Sequence, residues 1–231
     1  MKASDYYKNI NDRTAAWSTS PLTQPSDAIF ASLTDRMATF GSGGRYLDIG
    51  CQAGGLMRRV QKFFDESVGI DMGSYDDEWK SLPSCKFLVH DVDAARLPFP
   101  DDYFRVVTCI MVLEHVFDVF GLVREARRIL QPAGILMIEV PNIGYFKHIV
   151  NLIKGRVPRT GAQKYPFSEL EGWDGQHLHQ FTIMELKWLL EHSGFQIKET
   201  FSRGSWQGIR NMSPTLLYAS IVMVAAADNS H

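Results

Sequence analysis

One stretch constrains this chain more than any other: Tyr46-Leu47-Asp48-Ile49-Gly50-Cys51-Gln52-Ala53-Gly54-Gly55, an apolar run that breaks into a glycine-rich turn and then into a helical pattern. Glycine lets the backbone turn sharply and lets a ligand approach with no Cβ in the way. A helix opening after such a turn offers unpaired N–H groups and the positive end of its dipole to a carboxylate or phosphate. The next apolar run ends in Val68-Gly69-Ile70-Asp71, whose carboxylate stands at a strand tip where it accepts hydrogen bonds from a ribose diol. The nicotinamide fingerprint Gly-x-Gly-x-x-Gly fails at Gln52, which disfavours an oxidoreductase of the dinucleotide-binding kind.

Short apolar runs alternate with helical stretches around this turn. Strands are predicted at 45–49, 67–70, 86–89, 106–111 and 135–140, and helices at 26–40 (with Ser26 as N-cap), 54–64, 75–82 and 117–130. Gln131-Pro132-Ala133-Gly134 stops the last of these helices. Such alternation implies a parallel sheet with helices on both faces. A helix over 184–192 follows, closed by Gly194. Two more strands, 195–200 and 216–225, have no helix-length segment between them and are predicted to pair as an antiparallel hairpin at the sheet edge. The 231 residues suit one α/β domain with extra cover. With 45% hydrophobic and 22% charged residues the balance is globular, and a net charge of −2 supplies no basic field for nucleic acid. Cys51, Cys85 and Cys109 form no paired motif and read as buried filler, so neither a zinc framework nor a disulfide one is expected. The first residues lack the apolar core of a signal peptide, and the run 215–227 is too short to span a bilayer. The expectation is a cytoplasmic protein with no integral membrane segment.

The stretch from Asp48 to Asp71 resembles the first two motifs of class I S-adenosylmethionine-dependent methyltransferases, usually written Asp-x-Gly-x-Gly-x-Gly. Asp48, Gly50 and Gly54 match, and Gln52 replaces the middle glycine. The resemblance continues through His90-Asp91-Val92-Asp93, where such enzymes place an acid against the adenine amino group. It extends through Leu97 to Phe104 and through Met111-Val112-Leu113-Glu114-His115-Val116, the segment lining the pocket beside the sulfonium. Arg105 stands where the family usually has Asp, outside the chemistry. The resemblance implies a Rossmann-like fold: a seven-stranded, mostly parallel sheet with an antiparallel C-terminal strand and helices on both faces. It also implies S-adenosyl-L-methionine as cofactor, S-adenosyl-L-homocysteine as product, and a contact set of Asp48, Gly50, Cys51, Gln52, Gly54, Asp71, Met72, Asp91, Val92, Met111 and Glu114. On this reading residues 1–41 are a helical cover and 42–231 the catalytic domain.

Methyl transfer from a sulfonium is an in-line displacement, so the protein mainly aligns the reactants. An oxygen acceptor also needs a base for its proton. His115, His177 and His179 are the candidates, each equally readable as a residue that frames or anchors its segment. His177 and His179 with Asp174 are an alternative metal set, although no resident metal is expected. An insertion at about 141–173 carries Ile143, Phe146, Ile149, Val150 and Ile153 at helical spacing, together with Lys147, Lys154, Arg156, Arg159 and Lys164. As a cap over the acceptor it suits a small polar or anionic molecule. A basic amphipathic helix resting on an anionic membrane is the weaker reading. The segment from Val140 to Gly161 is more loosely similar to MetW-like proteins and to methyltransferases of surface-polysaccharide synthesis. The alternative function is therefore a MetW-like non-catalytic partner that keeps the cofactor-binding fold.

Overall fold

The structure, a computed structural model, describes residues 27–40, 42–93, 96–161, 177–204 and 207–228. Along the chain these form α1 (Asp27–Ala38), β1 (Arg45–Ile49), α2 (Met57–Val60) with a 3-10 turn at Gln61–Phe63, β2 (Glu66–Asp71), α3 (Asp76–Trp79), β3 (Cys85–Val89) and β4 (Phe104–Ile110). There follow α4 (Val119–Ile129), β5 (Leu130–Pro141), α5 (Phe146–Ile153), α6 (Ile183–His192), β6 (Phe195–Phe201), α7 (Gln207–Arg210), α8 (Pro214–Leu217) and β7 (Ser220–Ala227). Most of the predicted N-terminal cover, with Ser26, as well as Lys164 of the insertion and Asp174 of the alternative metal set, lies outside the described residues.

The strands hydrogen-bond in the order β3-β2-β1-β4-β5-β7-β6, with β7 antiparallel to both of its neighbours and the other six aligned. The seven-stranded, mostly parallel sheet that the resemblance implies is therefore present. The chain leaves β1 toward β2 on one side and returns as β4 on the other, so the strand order reverses between β1 and β4. At such a switch point the loops diverge and leave a crevice beyond the carboxyl ends of the strands.

Two apolar layers cover the sheet. Leu122, Val123, Ala126 and Ile129 of α4 and Leu186, Leu189 and Leu190 of α6 pack on one face. Leu33 and Met37 of α1, Met57 and Val60 of α2, and Trp79 pack on the other. Asp118 caps α4 by accepting from Gly121 N at 2.7 Å, and Thr182 caps α6 by accepting from Met184 N at 3.2 Å.

Several expected boundaries shift, among them the start of β5, which runs from Leu130 rather than 135. The helix predicted over 54–64 begins only at Met57, because residues 51–56 are spent in turns around the left-handed Gly54 and no side chain caps the start. The helix predicted over 75–82 is the single turn Asp76–Trp79; Pro83 disfavours a helical conformation at Leu82. The last strand begins at Ser220 rather than 216, since Pro214 at the first position of α8 sets a helical turn through Leu217. α5 forms at the expected spacing, but none of its residues is buried: Phe146, Ile149, Val150, Leu152 and Ile153 are all exposed.

Arg105, at the start of β4, lies at the opposite edge of the sheet from the crevice. Its guanidinium donates to Ser42 O at 2.6 Å, Gly43 O at 3.2 Å and Phe40 O at 2.6 Å, satisfying the carbonyls that leave α1. Inside the sheet, the fully buried Glu139 of β5 accepts from Arg203 Nε at 2.6 Å. Burial raises the Glu139 carboxyl above its ordinary range, and Arg203 opposes that shift. Removing one partner of such a pair leaves a desolvated charge behind. Arg203→Ala is therefore expected to lower unfolding stability by about 3 kcal/mol, measured by urea denaturation.

Candidate functional site

Gly50 (φ +73) follows β1, and its N–H bonds to Ile70 O at 2.8 Å, fastening the turn to β2. A Cβ at Gly50 would lie 2.2 Å from Val112 Cγ2, so the Val112 side chain of the loop after β4 packs directly on the bare backbone of the loop after β1. Gln52 occupies the left-handed region (φ +44) at the position where the motif has lost its glycine. That conformation is unfavourable for an L side chain. It is held from both sides: Gln52 N donates to Asp71 Oδ2 at 3.0 Å, and Gln52 O accepts from Trp79 Nε1 at 2.8 Å.

Asp71 thus does two structural jobs at the tip of β2, since its other oxygen accepts from Gly73 N at 2.8 Å. Burial raises its carboxyl, and the backbone N–H groups of Gly73, Gln52 and Met72 oppose that shift. A carboxylate has about four lone-pair sites, so after these amides about one remains for a ligand. Met72 follows it in the turn, half-buried, and Cys51 is buried beside the loop, its thiol pushed up by burial and by the charges of Asp48 and Asp71.

Asp48 is buried in β1 directly opposite Thr108 of β4. Thr108 Oγ1 donates to Asp48 Oδ1 at 2.6 Å. A hydroxyl has one proton, so the Tyr46 hydroxyl, 2.7 Å from Thr108 Oγ1, is the donor in that second contact. Burial lifts the Asp48 carboxyl from 3.8 to about 7, although the Thr108 hydrogen bond pulls it down.

Beyond β3, Asp91 Oδ1 accepts from Asp93 N at 3.0 Å, while its Oδ2 is buried with no hydrogen-bond partner. Val92 packs against the core. Asp93 accepts from Phe117 N at 2.9 Å and Asp118 N at 3.3 Å, joining the β3 and β4 loops. Beyond β4, Met111 is also left-handed (φ +56), its N–H held by Glu139 O at 2.9 Å. Glu114 is fully buried; neither carboxylate oxygen has a hydrogen-bond partner, and burial lifts the group from 4.5 to about 8.

All the predicted contact residues therefore converge on the carboxyl edge around the switch point. The histidines gather beside them. Glu114 O accepts from Leu178 N at 2.7 Å and His179 N at 3.2 Å, which draws the late segment onto the β4 loop. The His115 and His177 rings stand edge to face with centroids 4.8 Å apart, and Thr160 Oγ1 lies 2.6 Å from His177 Nδ1. His179 turns to Phe181 instead, with ring centroids 6.4 Å apart. Reading the sequence missed Thr108 and Trp79. Thr108 at least left a signal, as a polar residue inside the apolar run Val106-Val107-Thr108-Cys109-Ile110.

A family model described as a methyltransferase domain matches residues 26–200. The chain belongs to the class I S-adenosylmethionine-dependent methyltransferase family. It is 25% identical over 168 residues to a Mycolicibacterium smegmatis protein named as a probable S-adenosylmethionine-dependent methyltransferase, across 71% of this chain and 57% of that one. It is 34% identical over 116 residues to the 27-O-demethylrifamycin SV methyltransferase of Amycolatopsis mediterranei, across 46% of this chain and 43% of that one. These alignments thus span about half the length of the relatives. The fold is shared with the Burkholderia thailandensis 1,6-didemethyltoxoflavin-N1-methyltransferase, solved with its substrate and S-adenosylhomocysteine. The TM-score is 0.64 at 16% identity, over 98% of this chain and 87% of that one.

Two outcomes follow from the loop geometry. Gln52→Val, which brings a β-branched side chain into the left-handed region, is expected to cost about 1–2 kcal/mol, while Gln52→Gly stays near neutral, both read by urea denaturation. The folded protein also holds a proton on Asp48 between pH 3.8 and about 7, where the unfolded chain has already lost it. Asp48 therefore makes stability fall as pH rises through that window. Denaturation of Asp48→Asn at pH 5 and pH 8 should show a smaller loss between the two than the parent does.

Proposed function

We propose that this chain binds S-adenosylmethionine in the crevice at the β1–β4 switch point and transfers its methyl group to a small polar or anionic acceptor. The observation that carries the reading is Asp71: one carboxylate both pins the left-handed turn at Gln52 and keeps accepting capacity toward the crevice. The residues fit the group. Asp91 presents a buried oxygen without a partner at the edge of the crevice. When bound, S-adenosylmethionine supplies an activated methyl on a positively charged sulfonium.

The chain's own residues then do the positioning. Asp71 takes the ribose diol, Asp91 the adenine edge, and the turn at 50–54 the methionyl part. Met72, Val92 and Met111 complete the walls, and the buried Glu114 lies at the acceptor side. Asp48 and Cys51 hold the loop from below. His115, His177 and His179 line the side facing the acceptor. The exposed Lys147, Lys154, Arg156 and Arg159, on and after α5, favour an anionic acceptor. The family relative named for 27-O-demethylrifamycin SV supports a small-molecule acceptor over a macromolecule. In this reading the segment at 141–173 is the acceptor cap on a single catalytic domain beginning near residue 42.

The test is calorimetric titration with S-adenosylhomocysteine. The parent is expected to bind it and to ignore NAD. Asp71→Ala is expected to weaken binding by about 1–3 kcal/mol, the scale of a lost charge-assisted hydrogen bond, at unchanged fold by circular dichroism. Unchanged affinity in that variant removes Asp71 from the ribose role.

A further inference from the structure

Glu114 poses a physical problem that the cofactor reading leaves open. Its carboxyl is fully buried, yet both oxygens lack a hydrogen-bond partner. Burying such a group uncompensated costs several kcal/mol, and buried charges in proteins are normally paired or bound to metal. Two imidazoles are gathered beside it. Ligand atoms of Glu114, His115 and His177 all lie within 4.8 Å of one another.

We propose that Glu114, His115 and His177 form a binding site for a divalent transition-metal ion of the zinc type. One carboxylate and two neutral imidazoles are a donor set that zinc and related first-row ions favour over magnesium or calcium. Three protein ligands leave a coordination position open, as in catalytic rather than structural sites.

The surrounding bonds fit this use. His177 has Thr160 Oγ1 at 2.6 Å from Nδ1, an outer hydrogen bond of the kind that fixes the ring of a metal-binding histidine and leaves Nε2 for the ion. The segment carrying His177 is tied to Glu114 through the amides of Leu178 and His179 at 2.7 and 3.2 Å, so ligands from distant parts of the chain are held together by backbone. A tetrahedral ion with bonds of about 2.0–2.1 Å needs donors about 3.3 Å apart, which the widest pair reaches by closing roughly 1.5 Å through side-chain rotation. On the methyl-transfer reading the cluster lies on the acceptor side of the methyl donor. A bound ion there would hold and polarise an acceptor oxygen. That role rests on the methyl-transfer reading; the affinity for the ion does not.

The test uses the full chain, stripped with EDTA and desalted. Zinc titration followed by metal analysis is expected to give one equivalent retained, with micromolar or tighter affinity. Glu114→Gln and His177→Ala are each expected to weaken binding at least about tenfold, no less than the loss seen for outer-shell partners. His192→Ala, at an exposed histidine on α6, should bind as the parent does. Thermal melting checks that each variant folds, and His177→Ala alone decides if Glu114→Gln does not. Cobalt substitution reads the ligands directly: a spectrum of nitrogen and oxygen ligation supports the site. Thiolate charge-transfer bands would put the ion on a cysteine and overturn it. No retained zinc, or equal affinity in parent and His177→Ala, also overturns it. S-adenosylhomocysteine titration of the stripped protein runs alongside, so a failure of cofactor binding is seen separately from a failure of metal binding.

Discussion

The Asp71 carboxylate bound to the Gln52 amide is the interaction on which the rest of the crevice depends. A left-handed residue without the freedom of glycine persists only where its surroundings over-determine it. Here the acceptor below it is Asp71 and the donor beside it is the Trp79 indole, which links the turn to α3. Trp79 in turn stacks on Phe87 of β3, at a centroid separation of 5.1 Å, and a Cβ at Gly69 would come within 2.4 Å of its ring. Turn, β2, α3 and β3 are therefore one mechanical unit, and the loss of a motif glycine is absorbed by that unit.

A second constraint is electrostatic. Asp48, Asp71, Glu114 and Glu139 all sit in or against the sheet, and burial raises every one of them. Glu139 has a cation partner in Arg203; Asp48 has a hydroxyl and Asp71 has amides. Glu114 has neither, and Asp91 keeps one oxygen unpaired at the same edge. Placing acids where solvent does not stabilise them costs folding free energy and disfavours their charged form. A cationic guest, whether a sulfonium or a metal ion, would draw such carboxyls back toward that form.

Much of this was legible from local pattern. The strands of the sheet, the turn at 50–54, the carboxylate at the tip of β2 and the C-terminal antiparallel pairing all follow from apolar runs and turn residues that act over a few positions. Helix lengths were less legible. α2 and α3 are shortened by turn geometry and by Pro83, which compete with a periodicity that by itself would carry the helix further. The role of Arg105 was likewise hidden, because the carbonyls it satisfies belong to the end of α1, well upstream in the chain.

By itself the sequence determined the sheet, the order of its elements and the acidic residues at the strand tips, because hydrophobic period and glycine placement are local properties. Only the tertiary structure decided that Thr108 would face Asp48, that Trp79 would brace Gln52, and that His177 would arrive beside His115 and Glu114. Those meetings depend on strand register and on long-range backbone hydrogen bonds. Neither leaves a periodic trace in the sequence.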